Sequence, residues 1–171
     1  MGSQARVKSP AVQTGHPVRD SALGLVSETL DAILPLQAQV WNHNSLPPSF
    51  IEILRLRNAR TVNCVFCKSV RYDVARRDGL TEEKVQLIDD DFASSALSRP
   101  EKLLIAFADA YLHDPAAIAA ELVAELRAQF SAEQIAHMAL SLTTFHAMSR
   151  CAVALGGMPE TLPIMEMPTH T

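Results

Sequence analysis

Two cysteines three residues apart, Cys64 and Cys67, have the type and spacing to carry out thiol chemistry. At the start of a helix, such a CxxC pair lies on one face, so the sulfurs can form a disulfide or share a metal ion. The thiolate is the reactive form of cysteine, and nearby cations and a helix N-terminus stabilise it. Residues 55–77 contain seven of the fifteen Lys and Arg residues, opposed only by Asp73. The sequence therefore predicts a stabilised thiolate, and the helix dipole favours Cys64 as the more acidic thiol.

Three interpretations of the pair stay open at this point. A redox or peroxidatic dithiol is the interpretation that the basic surroundings favour. The alternatives are two core cysteines without chemistry and half of a zinc site. Zinc needs four ligands, and the sequence has no second CxxC or CxxH motif. His146 and Cys151 could complete a zinc site only if the last helix packs against the pair.

The elements that position the cysteines are expected to be helices of one domain. A chain of 171 residues can bury one core, and its few aromatics (5%) and six glycines favour helices over sheets. We predict an all-α fold, with a flexible arm at 1–19, a helical domain of about six to eight helices at 20–157 and an extended tail at 158–171. No stretch has the pattern of a strand.

Capping residues and prolines predict where these helices begin and end. A first helix over 20–34 should stop at Pro35, and a short one should follow over 36–43. Asn63 is the expected cap of a helix that runs from Cys64 to Asp78, with Gly79 closing it. Further predicted starts are Pro47-Pro48-Ser49, Thr81, Ser98 with Glu101, and Ser131 with Gln134.

Composition narrows the class of protein. The net charge of −4 gives no indication of nucleic acid or of an anionic membrane as a partner. Three cysteines do not form the disulfide framework of a small secreted domain. The sequence has neither the apolar region of a signal peptide nor an apolar run long enough to span a bilayer. We therefore expect a cytoplasmic location.

The span from about residue 22 to 157 resembles the carboxymuconolactone decarboxylase and AhpD-like alkylhydroperoxidase superfamily. The resemblance rests on Glu52 twelve residues before Cys64, on the CxxC pair and on the run ARRDGLT at 75–81. It continues in SRPEKLLIAFADAYLHDP at 98–115 and FSAEQIAHMALSLTTFHAMSRCAVALG at 130–156. The resemblance implies a single AhpD-like helical domain that associates into dimers, trimers or hexamers.

The resemblance also implies a function and a set of roles. It suggests a thiol-dependent peroxidase, an antioxidant oxidoreductase with peroxiredoxin-type activity and a redox-active disulfide, that needs no cofactor or metal. Its partners would be a hydroperoxide or other small molecule and a thiol or dithiol reductant. Cys67 would attack the peroxide, Cys64 would resolve the sulfenic acid, and Glu52 would relay protons. From spacing alone, Glu52 would instead be a surface carboxylate paired with Arg55.

The sequence departs from the AhpD pattern beside the second cysteine. Arg71 stands four residues after Cys67, where that pattern has a histidine, and Phe66 replaces the histidine just before Cys67. Arginine cannot act as a general base, but one turn beyond Cys67 it could stabilise a thiolate or hold an anionic substrate. Tyr72 and His146 are the other possible supporting residues of the site.

Two alternative functions follow from the same residues. A decarboxylase-like enzyme would use Arg71 and Arg55 to hold a carboxylate, although that branch generally lacks the CxxC pair. A non-catalytic oligomeric or redox-sensing protein would have lost the relay histidine, and Arg71 is the main support for this alternative.

Overall fold

The helical prediction is confirmed by the computed structural model, which describes residues 2–169. Within them the helices are α1 (Ser27–Asn42), α2 (Pro48–Thr61), α3 (Val65–Ser69), α4 (Asp73–Arg77), α5 (Glu82–Gln86), α6 (Arg99–His113), α7 (Ala120–Gln129) and α8 (Ala132–Leu155). Short 3₁₀ helices lie at Ala22–Val26 and Phe92–Ser94. A minor parallel sheet joins β1 (Val70–Tyr72) to β2 (Met165–Met167).

Helix α2 is the centre of the domain. It packs against α6 and α8, and every residue over 51–59 is buried. Its apolar side chains fill the core on several sides, as expected for a helix surrounded by others. The buried stretch also contains Glu52, Arg55 and Arg57, and buried charges need partners inside the protein. The polar groups of α2 therefore help to organise the neighbouring elements.

Several helix ends follow the predicted capping chemistry. Ser131 accepts a hydrogen bond from the Gln134 amide and forms a capping box at the start of α8. Ser98 and Glu101 form the same box at α6, and Thr81 caps α5. Gly79 has a φ of 90°, the left-handed conformation in which glycine has no side-chain penalty.

The prediction that Pro35 separates two helices was wrong. Pro35 lies inside α1, which is continuous from Ser27 to Asn42. An interior proline costs about 3 kcal/mol because it lacks an amide donor and crowds the preceding turn. Leu30 lies before it, and Val40 and Trp41 after it, and all three are buried. Tertiary packing on both sides of the proline therefore outweighs the local penalty.

The predicted helix from Cys64 to Asp78 is in fact two short helices separated by a strand. Cys64 is the residue that caps α3, whereas Asn63 adopts a positive φ of 56° and is not the cap. The chain becomes extended at Val70, which pairs in register with Met165. The expectation of no strand was therefore wrong, because β1 is stabilised by a partner far away in the sequence.

The described ends of the chain lie against the helical domain. The Ser3 amide donates to the Met158 carbonyl at 2.9 Å, and the Arg6 amide donates to the Leu155 carbonyl at 2.9 Å. The boundaries at 1–19, 20–157 and 158–171 stay predictions, and Met1, His170 and Thr171 lie outside the described residues. No helix within 2–169 is long and apolar enough to cross a bilayer.

Candidate active site

The two cysteines form a disulfide at the start of α3, with their Cα atoms 5.2 Å apart. Cys64 is fully buried, whereas Cys67 is partly exposed. The Cys64 sulfur accepts a hydrogen bond from the Cys67 amide at 3.2 Å, which satisfies a free donor of the first helical turn. An external reactant therefore has better access to Cys67 than to Cys64.

The Cys67 sulfur is linked by hydrogen bonds to two other helices. Ser149 of α8 donates its hydroxyl proton to Cys67 Sγ at 3.4 Å. The Asn58 amide, on α2, donates to Ser149 Oγ at 3.1 Å. Asn58 Oδ1 lies 2.8 Å from His146 Nδ1, also on α8. We name this chain of His146, Asn58, Ser149 and Cys67 the α2–α8 polar chain.

The sequence prediction included His146 but missed Asn58 and Ser149. Asn58 and Ser149 are almost completely buried, at 0% and 2% exposure. A polar residue inside an otherwise apolar helix is a signal that it has an internal partner. The partners are 91 residues apart, so the sequence alone cannot pair them.

His146 has an environment that keeps it neutral near pH 7. Burial lowers the pKa of His146, and the positive charge of Arg150 lowers it further. Arg150 lies one helical turn away, with Nη1 3.4 Å from His146 Nε2. The imidazole Nδ1 faces an amide oxygen, so the neutral ring carries its proton on Nδ1.

Glu52 lies on α2 in a buried ion pair with Arg55. The Arg55 Nε and Nη2 atoms donate to the two Glu52 oxygens at 2.6 and 2.7 Å. Burial disfavours the charged guanidinium, but the charge and hydrogen bonds of Glu52 outweigh it and raise the pKa of Arg55 above its usual value. Glu52 is 1% exposed and is therefore not the surface carboxylate that spacing alone suggested.

The same arginine ties the ion pair to the dithiol segment. Arg55 Nη1 donates to the Cys67 carbonyl at 2.7 Å, and Nη2 donates to the Val70 carbonyl at 2.7 Å. These two carbonyls lie in and after α3, where the helix changes to a strand. Glu52 therefore reaches the dithiol segment through Arg55 and its backbone contacts.

Arg71 is held away from the position that a continuous helix would give it. It lies on β1, where Nε and Nη2 donate to the Glu82 carboxylate at 3.0 and 2.8 Å. Its Nη1 donates to the Lys68 and Val70 carbonyls at 2.7 and 2.9 Å. The hydrogen bonds from Arg71 lower the pKa of Glu82. Arg71 thus holds α3, β1 and α5 together.

The arginines within residues 55–77 mainly make structural contacts and do not hydrogen-bond to the sulfurs. Arg57 binds Asp109, Arg76 binds Glu166, and Arg77 binds Asp73. Arg60 donates to the carbonyls of Ile88 and Val85. The hydrogen bonds to the two sulfurs come from a backbone amide and a hydroxyl. The expectation that the surrounding arginines stabilise the thiolate is therefore not supported by these contacts.

Tyr72 connects the site to a cavity of about 610 Å³. Its hydroxyl accepts a hydrogen bond from Gln37 at 3.0 Å, and its ring packs on Trp41 with centroids 4.5 Å apart. Burial raises the pKa of Tyr72, even though nearby Arg55 lowers it. The cavity lining includes Tyr72 and Trp41 but neither Cys64 nor Cys67, so the partly exposed face of Cys67 is the route to the thiol.

The last helix packs against the dithiol without completing a metal site. Cys151 on α8 is exposed and unpaired, and His146 is bound to Asn58. Among residues 2–169, no three His, Cys, Asp or Glu side chains are grouped to hold a metal ion.

The fold resembles that of a solved helical protein. A crystal structure from Agrobacterium tumefaciens superimposes with a TM-score of 0.67 over 80% of this chain and 94% of that one, at 24% identity. That protein is described as being of unknown function and as a candidate antioxidant defence protein AhpD. The resemblance seen in the sequence is thus confirmed at the level of the fold.

Sequence comparison finds relatives in Mycobacterium tuberculosis, each described as an uncharacterized protein. Two proteins from Mycobacterium tuberculosis, of the CDC 1551 / Oshkosh and H37Rv strains, are each 29% identical over 143 residues. The match covers 84% of this chain, and the chain spans about half the length (49%) of these curated relatives. No family model matches the chain.

Proposed function

We propose that this protein is a thiol-dependent peroxidase that reduces small hydroperoxides through a Cys67–Cys64 dithiol and disulfide cycle. The observation that carries this proposal is the asymmetry of the pair. The two sulfurs are bonded to each other, yet Cys67 is partly exposed and Cys64 is fully buried. A peroxide can therefore reach Cys67, and the resulting sulfenic acid lies within reach of Cys64.

The cycle consumes one hydroperoxide and two external thiols. The Cys67 thiolate attacks the peroxide oxygen and the O–O bond breaks. The leaving alkoxide takes up one proton and departs as an alcohol. The Cys64 thiolate then attacks the Cys67 sulfenic acid, forming the disulfide and releasing water after protonation. An external thiolate attacks Cys67 Sγ and expels the Cys64 thiolate, which the Cys67 amide stabilises, and a second thiol restores the dithiol.

The reductant would be a thiol or dithiol of the cytoplasm, a compartment in which cysteines are kept reduced. The proposal includes a homo-oligomer, as the resemblance implies. The decarboxylase-like alternative has weaker support, because Arg71 and Arg55 are buried and already paired with Glu82 and Glu52.

One observation favours a second candidate, a redox sensor without turnover. The position of the relay histidine is occupied by Arg71, which is fixed to Glu82 and cannot exchange protons. Such a protein would oxidise stoichiometrically but would not cycle with a reductant. An Arg71→His variant with peroxidase activity that the wild type lacks would support the sensor.

Peroxide titration of the reduced protein tests the cycle. Hydrogen peroxide and cumene hydroperoxide should each remove two thiols per chain, and dithiothreitol should sustain turnover. Cys67→Ser should abolish oxidation, whereas Cys64→Ser should accumulate a sulfenic acid that dimedone traps on Cys67. Cys151→Ser is the matched control and should behave as wild type. Slow oxidation of the wild-type pair would reject the peroxidase, and dimedone trapping at Cys64 in the Cys67→Ser variant would reverse the two roles.

A further inference from the structure

We propose that Ser149 is the residue that stabilises the Cys67 thiolate, and that Asn58, held by His146, aims the Ser149 hydroxyl at the sulfur. This inference gives the proposed peroxidase site a thiolate-stabilising group in place of a cation, and its catalytic meaning rests on that proposed function. The thiol acidity that it predicts can be measured whether or not the protein reduces peroxides.

The direction of each hydrogen bond follows from the chemistry of the groups. The Asn58 Nδ2 atom is a donor only, so Ser149 Oγ accepts at 3.1 Å and uses a lone pair for this contact. The serine proton is then available for Cys67 Sγ, 3.4 Å away. Both Asn58 and Ser149 are buried, so water does not compete for these contacts as it would at the surface.

His146 fixes the orientation of the asparagine amide. With Nδ2 directed at Ser149, Oδ1 of Asn58 is the atom that faces His146 Nδ1 at 2.8 Å. Arginine only donates, so His146 Nε2 is the acceptor of its contact with Arg150 Nη1 at 3.4 Å, and the neutral ring carries its proton on Nδ1, which donates to Oδ1. An Asn58 flipped by 180° would place two donors against each other at His146. The histidine therefore holds the amide in the one orientation that directs the serine proton to the sulfur.

The contacts of the α2–α8 polar chain orient the Ser149 hydroxyl and do not carry protons from His146 to Cys67. A carboxamide is neither protonated nor deprotonated near neutral pH, so His146 cannot pass a proton to Cys67 through Asn58. Ser149 touches the reacting sulfur and is a catalytic residue, whereas Asn58 and His146 are positioning residues. A hydrogen bond to the charged form of an acid favours that form, so Ser149 should lower the pKa of Cys67.

The arrangement also separates the roles of the two sulfurs. Cys64 Sγ receives the Cys67 amide, and Cys67 Sγ receives the Ser149 hydroxyl. Each sulfur therefore has its own donor when the disulfide opens. The helix-end amide favours Cys64 as a leaving thiolate, and the hydroxyl favours the partly exposed Cys67 as the attacking thiolate.

The test measures the pKa of Cys67 as the only cysteine left in the 171-residue chain. In a Cys64→Ser, Cys151→Ser background, ultraviolet thiolate absorbance and the rate of iodoacetamide alkylation are followed against pH. Ser149→Ala should raise the pKa of Cys67 by about one unit. At a pH below the pKa, the fraction of Cys67 present as thiolate should then be about tenfold lower. Ser149→Thr retains the hydroxyl and should restore most of the effect.

Ser141→Ala is the matched control because it removes another buried hydroxyl of α8. Ser141 donates to the His137 carbonyl within the helix, away from the α2–α8 polar chain. The Ser141→Ala substitution should leave the pKa of Cys67 unchanged. An unchanged pKa in Ser149→Ala, or an equal rise in Ser141→Ala, would overturn the proposal.

A double-mutant cycle tests the positioning role of Asn58. Asn58→Leu should raise the pKa of Cys67 by part of the Ser149→Ala effect, and the combined variant should shift it no further than Ser149→Ala alone. Additive shifts would show that Asn58 does not act through Ser149. If these shifts occur but the wild type fails to turn over peroxide, the thiolate assignment stands and the peroxidase proposal falls.

Discussion

Uncharged donors, not cations, lie against the two sulfurs of this protein. The arginines nearest in sequence are paired with carboxylates or backbone carbonyls, and Arg71 and Arg55 are the most deeply buried of them, at 4% and 5% exposure. A guanidinium bound in this way has little remaining capacity to stabilise a thiolate. Its value is structural, since Arg55 joins α2 to the Cys67 and Val70 carbonyls.

Glu52 should therefore contribute strongly to stability. A Glu52→Gln change leaves the buried Arg55 charge without its counter-charge, and breaking a buried ion pair typically costs about 3 kcal/mol or more. We expect a fall of about 3 kcal/mol in the free energy of unfolding, measured by urea denaturation of the reduced protein. We also expect slower oxidation of Cys67 by peroxide, because Arg55 no longer holds the Cys67 carbonyl in place.

Glu82→Gln is the matched control for this prediction. It also removes the carboxylate partner of a buried arginine, Arg71, but Glu82 itself is 37% exposed and water can replace part of the contact. We expect a loss of about 1 kcal/mol for this variant. Equal losses in the two variants would contradict a special role for the buried Glu52–Arg55 pair, and unchanged oxidation kinetics in Glu52→Gln would remove Glu52 from the site.

At the scale of elements, α8 joins the dithiol at one end and α1 at the other. His137 makes the second junction, with Nε2 2.9 Å from the Val40 carbonyl and Nδ1 2.8 Å from Ser45 Oγ. Burial lowers the pKa of His137, and this outweighs the opposing effect of the Val40 carbonyl, while the charge of His43 lowers it further. The imidazole is therefore neutral in the folded protein down to a lower pH than in the unfolded chain.

This difference gives a pH dependence with a defined sign. In the unfolded chain His137 is protonated once the pH falls below its unfolded pKa of about 6.5, so unfolding is accompanied by the uptake of a proton. The free energy of unfolding should fall from pH 7 towards pH 5, and His137→Gln should reduce the slope. Exposed His113 at the end of α6 provides the control, and His113→Gln should keep the wild-type slope. Parallel slopes in all three proteins would show that His137 does not cause the loss.

The elements that could be predicted from the sequence are those defined by local chemistry. The boxes at Ser98 and Ser131 and the left-handed Gly79 act within one or two turns, so the residues themselves carry the signal. Pro35 and β1 depend on distant packing and pairing, and their local patterns gave the wrong result. The same division holds within the site, where the CxxC pair is local and the Ser149 contact spans 82 residues.

At the scale of the whole molecule, α8 has one face in the core and another that is open. The exposed face of this helix carries small or apolar side chains at intervals of three or four residues. They are Ala136, Leu140, Thr143, Ala147, Cys151 and Ala154. Leu140 is 65% exposed, and Leu36 on neighbouring α1 is 56% exposed. A face of this spacing fits a second helix, which agrees with the homo-oligomer proposed for this protein.

A charge placed on this face should therefore weaken self-association. Leu140→Lys would have to bury an unpaired ammonium against a second copy of the chain, which is strongly unfavourable. We expect light scattering coupled to size exclusion to show a smaller mass for this variant than for the wild type, with unchanged helical circular dichroism. Ala128→Lys adds the same charge at an exposed position of α7 and should keep the wild-type mass. Equal masses for wild type and Leu140→Lys would place the subunit contact on another surface, and a monomeric wild type would remove the oligomer from the proposal.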